Sequence, residues 1–376
     1  MKVFSDTFPA DSLSAFEQHF IRENMLFVDI ETTGLSPVRD QIYCIGCGCR
    51  KKDRICTDLF FAENSEDEPS ILKAFFRLLS GFDTIVTFNG TAFDLPFIRK
   101  RAELHQISLT HPFPAAGLLN PETAPDSGAG HTVDLYRETT RLKKLLGLSS
   151  CRQKCVEQFL GCCRDDTYSG GELIEVYQNY VLQKDPGQLQ LLLLHNLEDV
   201  KGMFSLTGIL SYRQLREGQF QISDSIRETE GGKEYLNLKI IPAFDFPQSI
   251  HRIAEDSSFL LNRSAGLIRL PLRHGTLKHF FPDPENYYYL PTEDTAIHKS
   301  VGEFVDPSHR KKATKKNCYI KKDCDYVETP SKTAGGFLKK EYNEKTAYLE
   351  IPNSSCAGHA DACREFLQLY FAQFIS

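Results

Sequence analysis

The sequence has no run of about eighteen apolar residues, so no stretch is long enough to cross a bilayer as a helix. No basic-then-apolar segment opens it, and a cytoplasmic protein is expected. Positive charge is not in excess either. With 44 Lys and Arg against 50 Asp and Glu, the net charge is −6, which argues against binding polyanions with the whole surface but leaves room for local basic patches. Internal repeats and long low-complexity tracts are also missing, which excludes solenoids and fibrous chains.

The 12 cysteines lack a disulfide-scaffold setting and are expected as reduced thiols. "YCIGCGC" (Cys44, Cys47, Cys49) alternates like a strand. "CRQKCVEQFLGCC" (Cys151, Cys155, Cys162, Cys163) lacks the spaced pair of knuckles that a zinc site needs. Small buried hydrophobes are the simpler reading of both.

A chain of 376 residues reads as two domains. Strand-like runs at 25–30, 41–49, 55–61 and 83–88 are joined by helical patterns near 69–80, 95–105, 134–147, 150–160, 171–183 and 187–211. With a β-α-β unit around 55–88, they predict an α/β fold with a mixed sheet over residues 1–215. The polar stretch 218–234, with Gly231 and Gly232, reads as the boundary region. Short strands at 235–241, 257–262, 267–272, 276–281 and 286–290 then predict a β-rich accessory domain over 216–376.

"MLFVDIETTGL" ends an apolar strand with Asp29 and Glu31, which the two-residue period puts on one face. Two such carboxylates repel unless a proton or cation lies between them, so the stretch suggests a divalent metal. Asp94 in "FNGTAFDLPF" stands just before a helix, where an N-cap is the bland reading. His195 and Asp199 in "LLLLHNLEDV" share one helical face, where a core histidine and a surface acid are the bland readings.

Together the four acids resemble the DEDD, or DnaQ-like, superfamily of 3′–5′ exonucleases with a ribonuclease H-like fold. "DIETTGL" resembles its first motif, "FNGTAFDLPF" its second and "HNLEDV" its third. The likeness spans roughly residues 22–211 and, with "HTVDLYRETTRLKKLLGL", is strongest to the bacterial YprB-like branch. The resemblance implies two Mg2+ or Mn2+ ions: Asp29 between both, Glu31 and Asp199 on the nucleophile side, Asp94 on the second ion partly through water. His195 stands at the spacing the superfamily gives to tyrosine, and so offers water-positioning or base chemistry at a shifted position. Tyr177 and Tyr180 do not fit that place.

The resemblance also implies that Thr32, Thr33 and Gly34 present backbone amides and a hydroxyl to a terminal nucleotide, that Leu35 wedges against a base, and that Asn89 orients the strand. A strand-ending turn accounts equally for Thr32 and Gly34, and Asn89-Gly90 is a common turn pair. Asp134 in "HTVDLY" is expected as a helix N-cap. In the second domain Arg310, Lys311, Lys312, Lys315, Lys316, Lys321 and Lys322 surround Tyr319, a pattern suited to tracking and stacking single-stranded nucleic acid, with a solvated loop as the alternative. Alternation in "NYYYLP" should bury at least one tyrosine, and "ADACREFLQLYFAQF" should be an amphipathic helix. The expected activity is metal-dependent 3′–5′ exonuclease cleavage of single-stranded DNA or RNA ends. A structure-selective endonuclease on the same fold and a non-catalytic nucleic-acid-binding module are the alternatives.

Overall fold

A computed structural model describes residues 1–108, 131–166, 168–254, 256–329, 337–352 and 360–375. The chain forms two compact units, Met1–Ser211 and Tyr212–Ser376. Among the described residues no helix is long and apolar enough to cross a membrane.

The first unit runs β1 (Lys2–Pro9), α1 (Ala15–Phe20), β2 (Met25–Thr32), β3 (Ile42–Lys51), β4 (Arg54–Phe61), α2 (Glu68–Leu79), β5 (Thr84–Thr87), α3 (Asp94–Leu104), β6 (His131–Asp134), α4 (Leu135–Leu146), α5 (Gln153–Leu160), α6 (Gly170–Gln183) and α7 (Pro186–Leu206). Its described strands form a six-stranded mixed sheet in the order β1-β4-β3-β2-β5-β6, flanked by helices. The central strand β2 pairs antiparallel with β3 and parallel with β5. Parallel strands β5 and β6 are short, and β5 is wholly buried, as a strand covered on both faces must be.

The glycines of "YCIGCGC" set how closely α7 approaches this sheet. A Cβ on Gly46 would lie 2.1 Å from Asn196 Oδ1, and one on Gly48 would lie 2.8 Å from Phe204. With both positions bare, Phe204 stacks on Phe27 of β2 at 3.9 Å between ring centroids. The cysteines around these glycines, Cys44, Cys47 and Cys49, are free thiols buried in β3.

The first two strand boundaries differ from expectation at one informative place. Glu31 pairs with Cys44 but Thr32 pairs with Ile42, so Tyr43 is the extra residue of a β-bulge directly beside Glu31. Strand β1 lies outside the strands expected from the sequence. Its exposed, polar pattern is that of an edge strand, whose outer face carries no apolar signal.

The second unit runs α8 (Gln214–Glu217), β7 (Phe220–Glu230), β8 (Lys233–Pro242), β9 (Ile250–Ala254), β10 (Ser257–Leu261), β11 (Gly266–Phe280), β12 (Tyr287–Leu290), β13 (Thr295–His298), α9 (Lys299–Gly302), β14 (Lys311–Lys312), β15 (Tyr319–Glu328), β16 (Tyr348–Glu350) and α10 (Ala360–Ala372). The polar stretch expected to be a boundary is instead strand β7, joined to β8 through Gly231 and Gly232 at φ 59° and 77°. Successive left-handed glycines suit a tight hairpin turn, and the strand is polar because most of it is exposed. The two strands expected at 267–272 and 276–281 are one continuous β11. Its first half pairs with β8 and β10 and its second half with β15. Helix α10 buries Phe366, Leu367 and Phe371, and Phe259 of β10 meets Tyr370, Phe371 and Phe374 edge-on.

Candidate metal centre and active site

Strand β2 and helices α3 and α7 bring the four acids together. Asp29 is half-buried at the end of β2, and Glu31 is buried two residues on. Asp94 is the first residue of α3 rather than the cap before it, a place that Phe93 takes. Its carboxylate reaches back across the sheet instead, with Oδ1 accepting from the backbone N–H of Ile30 over 3.2 Å. One buried acid is thereby locked between the other two on their own strand.

Helix α7 supplies His195, Asn196 and Asp199. His195 Nε2 lies 3.2 Å from Asp199 Oδ2 and 3.6 Å from Glu31 Oε1. Glu31, His195 and Asp199 each offer a ligand atom, all within 4.8 Å of one another, as a divalent cation would require. The electrostatics fit a cation too. Burial, then Asp199, Asp94 and Glu31, push the Asp29 carboxyl well above its ordinary range, with Arg164 pulling the other way. Glu31 is pushed up by burial and by Asp199 and Asp94, with Asp166 adding to it and Tyr43 opposing. Asp94 is pushed up to about 7, by burial first and by Asp134 and Asp199, against the backbone N–H groups it accepts from. Three carboxyls raised by burial and by neighbouring carboxylates form a site that favours positive charge.

Five residues of this site carried no usable signal in the sequence. Asn196 donates to Asp29 Oδ2 over 2.8 Å and accepts from the Cys44 thiol at 3.5 Å. Asp166 sits 2.7 Å from His195 Nδ1 and also takes Lys154 Nζ at 3.0 Å. Burial opposes its ionisation, but Lys154 and His195 hold its carboxyl below the usual range. Arg164 reaches Asp199 Oδ1 at 2.5 Å and forks onto Glu157. The bulged Tyr43 is fully buried beside Glu31. Arg164 and Asp166 lie beyond the end of α5, in a segment with no helical or strand period, and Glu157 lies within α5, where nothing local marks it as more than a helical acid.

The turn after the acids is internally tied. Thr32 Oγ1 donates to Gly34 O at 2.7 Å, while Thr33 exchanges hydrogen bonds with Gln41 through its amide and its hydroxyl, each at 2.9 Å. The Thr33 amide is therefore engaged within the turn. A Cβ on Gly34 would fall 2.4 Å from the Asp40 carboxylate, so only glycine fits. Buried Glu68 accepts from Ile42 N and from Arg101, whose Nη1 also donates to Pro37 O, which fixes the far side of the same turn. Leu35 projects from it, 83% exposed. Asn89 takes a left-handed φ of 65°, and its N–H, with that of Thr91, is held by Asp134. Asp134 also caps α4 through Tyr136 N, as expected. Tyr177 and Tyr180 are core residues, Tyr177 stacking on Tyr43 at 4.1 Å.

The basic segment belongs to the second unit. Lys311 and Lys312 form exposed β14, paired with Tyr289 and Tyr288, and Lys315 and Lys316 are exposed in the turn that follows. Tyr319 is buried and donates to Asp294, which corrects its reading as a base-stacking residue. Lys321 pairs with Asp294 and Lys322 with Glu350. None of the three tyrosines at 287–289 is fully buried, because the three-stranded sheet they belong to is too small to cover either face. Arg310 and Lys299 lie over the Tyr288 ring.

Residues 26–211 match the family model RNase_H_2, of the RNase_H superfamily, and the first unit holds an RNase H-like domain. The chain is similar to an uncharacterized protein of Methanocaldococcus jannaschii, 26% identical over 186 residues that make up 49% of this chain and 93% of that protein. Among solved structures it is similar to the family B DNA polymerase of the archaeon Pyrobaculum calidifontis, at 16% identity and TM-score 0.39, covering 68% of this chain and 33% of the polymerase chain. It is also similar to Brucella melitensis NrnC bound to pGG, at 15% identity and TM-score 0.33, covering 52% of this chain and 76% of that one.

Proposed function

We propose that the first unit hydrolyses phosphodiester bonds of nucleic acid with two divalent cations, acting from the 3′ end of single-stranded DNA or RNA. The observation that carries this reading is the convergence of Asp29, Glu31, Asp94 and Asp199, on an RNase H-like domain, into one partly buried cluster, where burial and neighbouring carboxylates raise Asp29, Glu31 and Asp94. Magnesium or manganese held by these four acids would supply charge stabilisation for the phosphate and an acidified water.

The remaining roles fall to the chain's own groups. Asn196 and the Ile30 amide fix the orientation of Asp29 and Asp94. With Nδ1 held by Asp166, His195 presents Nε2 toward Glu31 and Asp199, where it can orient water and take its proton. Exposed Leu35, on a turn whose backbone is already tied down, suits contact with the terminal base, with Thr32, Gly34 and Asn89 lining the approach. Lys311, Lys312, Lys315 and Lys316 of the second unit would hold the strand by its phosphates. Within this reading the chain resembles the YprB-like branch and works in the cytoplasm.

End-labelled and circular single-stranded DNA and RNA, incubated in Mg2+, Mn2+ or chelator, test it. A ladder shortening from the 3′ end, with circles spared, is expected. Cutting of circles would point to an endonuclease on the same acids, and binding without cleavage in either metal would overturn the enzyme reading.

A further inference from the structure

We infer that Arg164 is a built-in counter-cation that holds Asp199 while the site lacks metal and is released toward a substrate phosphate when a divalent cation takes Asp199. The second half of this inference rests on the nuclease reading; the first does not. Asp199 Oδ1 is held by Arg164 Nη2 at 2.5 Å, while Oδ2 faces His195 Nε2 at 3.2 Å. A cation that draws Asp199 toward Glu31 and His195 competes with Arg164 for that carboxylate.

Arg164 does not depend on Asp199 for its place. Its Nε and Nη2 fork onto Glu157, which is 2% exposed and also accepts from Gln153 Nε2 at 3.0 Å. Gly202 of α7 makes the room, since a Cβ there would fall 2.0 Å from Glu157 Oε1. The guanidinium side chain is 10% exposed, and its Nη1 is buried without a hydrogen-bond partner among the described residues. A buried donor left unmade is costly unless a partner arrives at some stage of function. After Asp199 turns to a cation, Arg164 stays anchored by Glu157 and carries both Nη1 and an Nη2–H without an acceptor. Paired N–H groups in a rigid fork match the oxygens of a phosphate. A purely structural Arg164–Glu157 pair would leave metal affinity untouched.

The test is calorimetric titration of the full chain with Mn2+, without nucleic acid, comparing wild type, Arg164→Gln and Arg164→Lys. Freed from competition, Arg164→Gln should bind Mn2+ about tenfold more tightly, the scale of one charge-assisted hydrogen bond. Arg164→Lys, which keeps the charge but loses the planar fork that spans Glu157 and Asp199, should fall between and serves if the glutamine variant fails to fold. Lys154→Gln, which removes a nearby charge that pairs with Asp166 and not with Asp199, should change affinity little. In an Asp29→Asn background, Arg164→Gln should bind a single-stranded deoxyoligonucleotide several-fold more weakly. Unchanged or weaker Mn2+ binding by a folded Arg164→Gln protein overturns the inference, as does equal tightening by Lys154→Gln. A wild type that binds Mn2+ but cuts nothing overturns the nuclease reading alone.

Discussion

Asn196 donates its side-chain amide to Asp29 Oδ2 over 2.8 Å, from a helix that can come this close only because Gly46 has no side chain. The contact turns an alternating Cys-Gly strand into part of the scaffold that holds the acidic cluster. Asn196→Ala removes the donor and leaves a partly buried carboxylate oxygen unsatisfied, which costs about 1–3 kcal/mol. Gly46→Ala must push α7 off the sheet and should cost more. Urea unfolding of both variants in chelator checks the order; an alanine at 46 that is tolerated without loss would contradict the close seating of α7.

The His195–Asp166 pair predicts graded losses. His195→Ala should lower turnover by about 10²–10⁴-fold with affinity for nucleic acid little changed. His195→Tyr should retain part of the activity. Asp166→Asn, which only loosens the imidazole, should cost about 10–100-fold. Steady-state rates separate these outcomes, and full turnover in the alanine variant would make His195 a packing residue.

These two pairs also mark what the sequence made legible. The two-residue period of β2 was enough to put Asp29 and Glu31 on one face, and the resemblance to DEDD nucleases pointed to Asp94, His195 and Asp199. Asp166 and Arg164 lie 29 and 35 residues from their partners in an aperiodic connection, so no local pattern links them to α7. Tyr43 enters the site through a one-residue bulge, which alternation counts as facing the wrong way. Strands β1 and β7 were hidden because exposed strands have no apolar face to read.

Metal-free protein should lose stability as pH rises. Asp94, with an ordinary value of 3.8, titrates near 7 in the folded chain, so between these limits the native state binds a proton that the unfolded chain has released. Its contribution is fully present below the lower limit and is lost as pH climbs through the upper one. Asp29 and Glu31, shifted the same way, add to the trend. In chelator, wild type should therefore melt progressively lower than Asp94→Asn as pH rises across this window, and Mn2+ should reverse the loss. Parallel curves for the two proteins would contradict the clustering of the acids.

The exposed lysines predict a salt effect. Replacing Lys311, Lys312, Lys315 and Lys316 with glutamine should weaken nucleic-acid binding and reduce the salt slope by about one for each phosphate no longer neutralised. Turnover at saturating substrate should be spared. If affinity and slope match the parent protein, this segment is a solvated surface.

The central claim is that four carboxylates hold the metals that cut nucleic acid. It is tested most directly by cleavage of a 5′-labelled single-stranded oligonucleotide in Mn2+ by purified wild type, Asp29→Asn and Asp199→Asn, each shown to melt cooperatively. Both substitutions keep side-chain size and remove one ligand charge. The account predicts cleavage by wild type that chelator abolishes, and no cleavage by either variant; comparable cleavage by a folded Asp29→Asn or Asp199→Asn protein would contradict it.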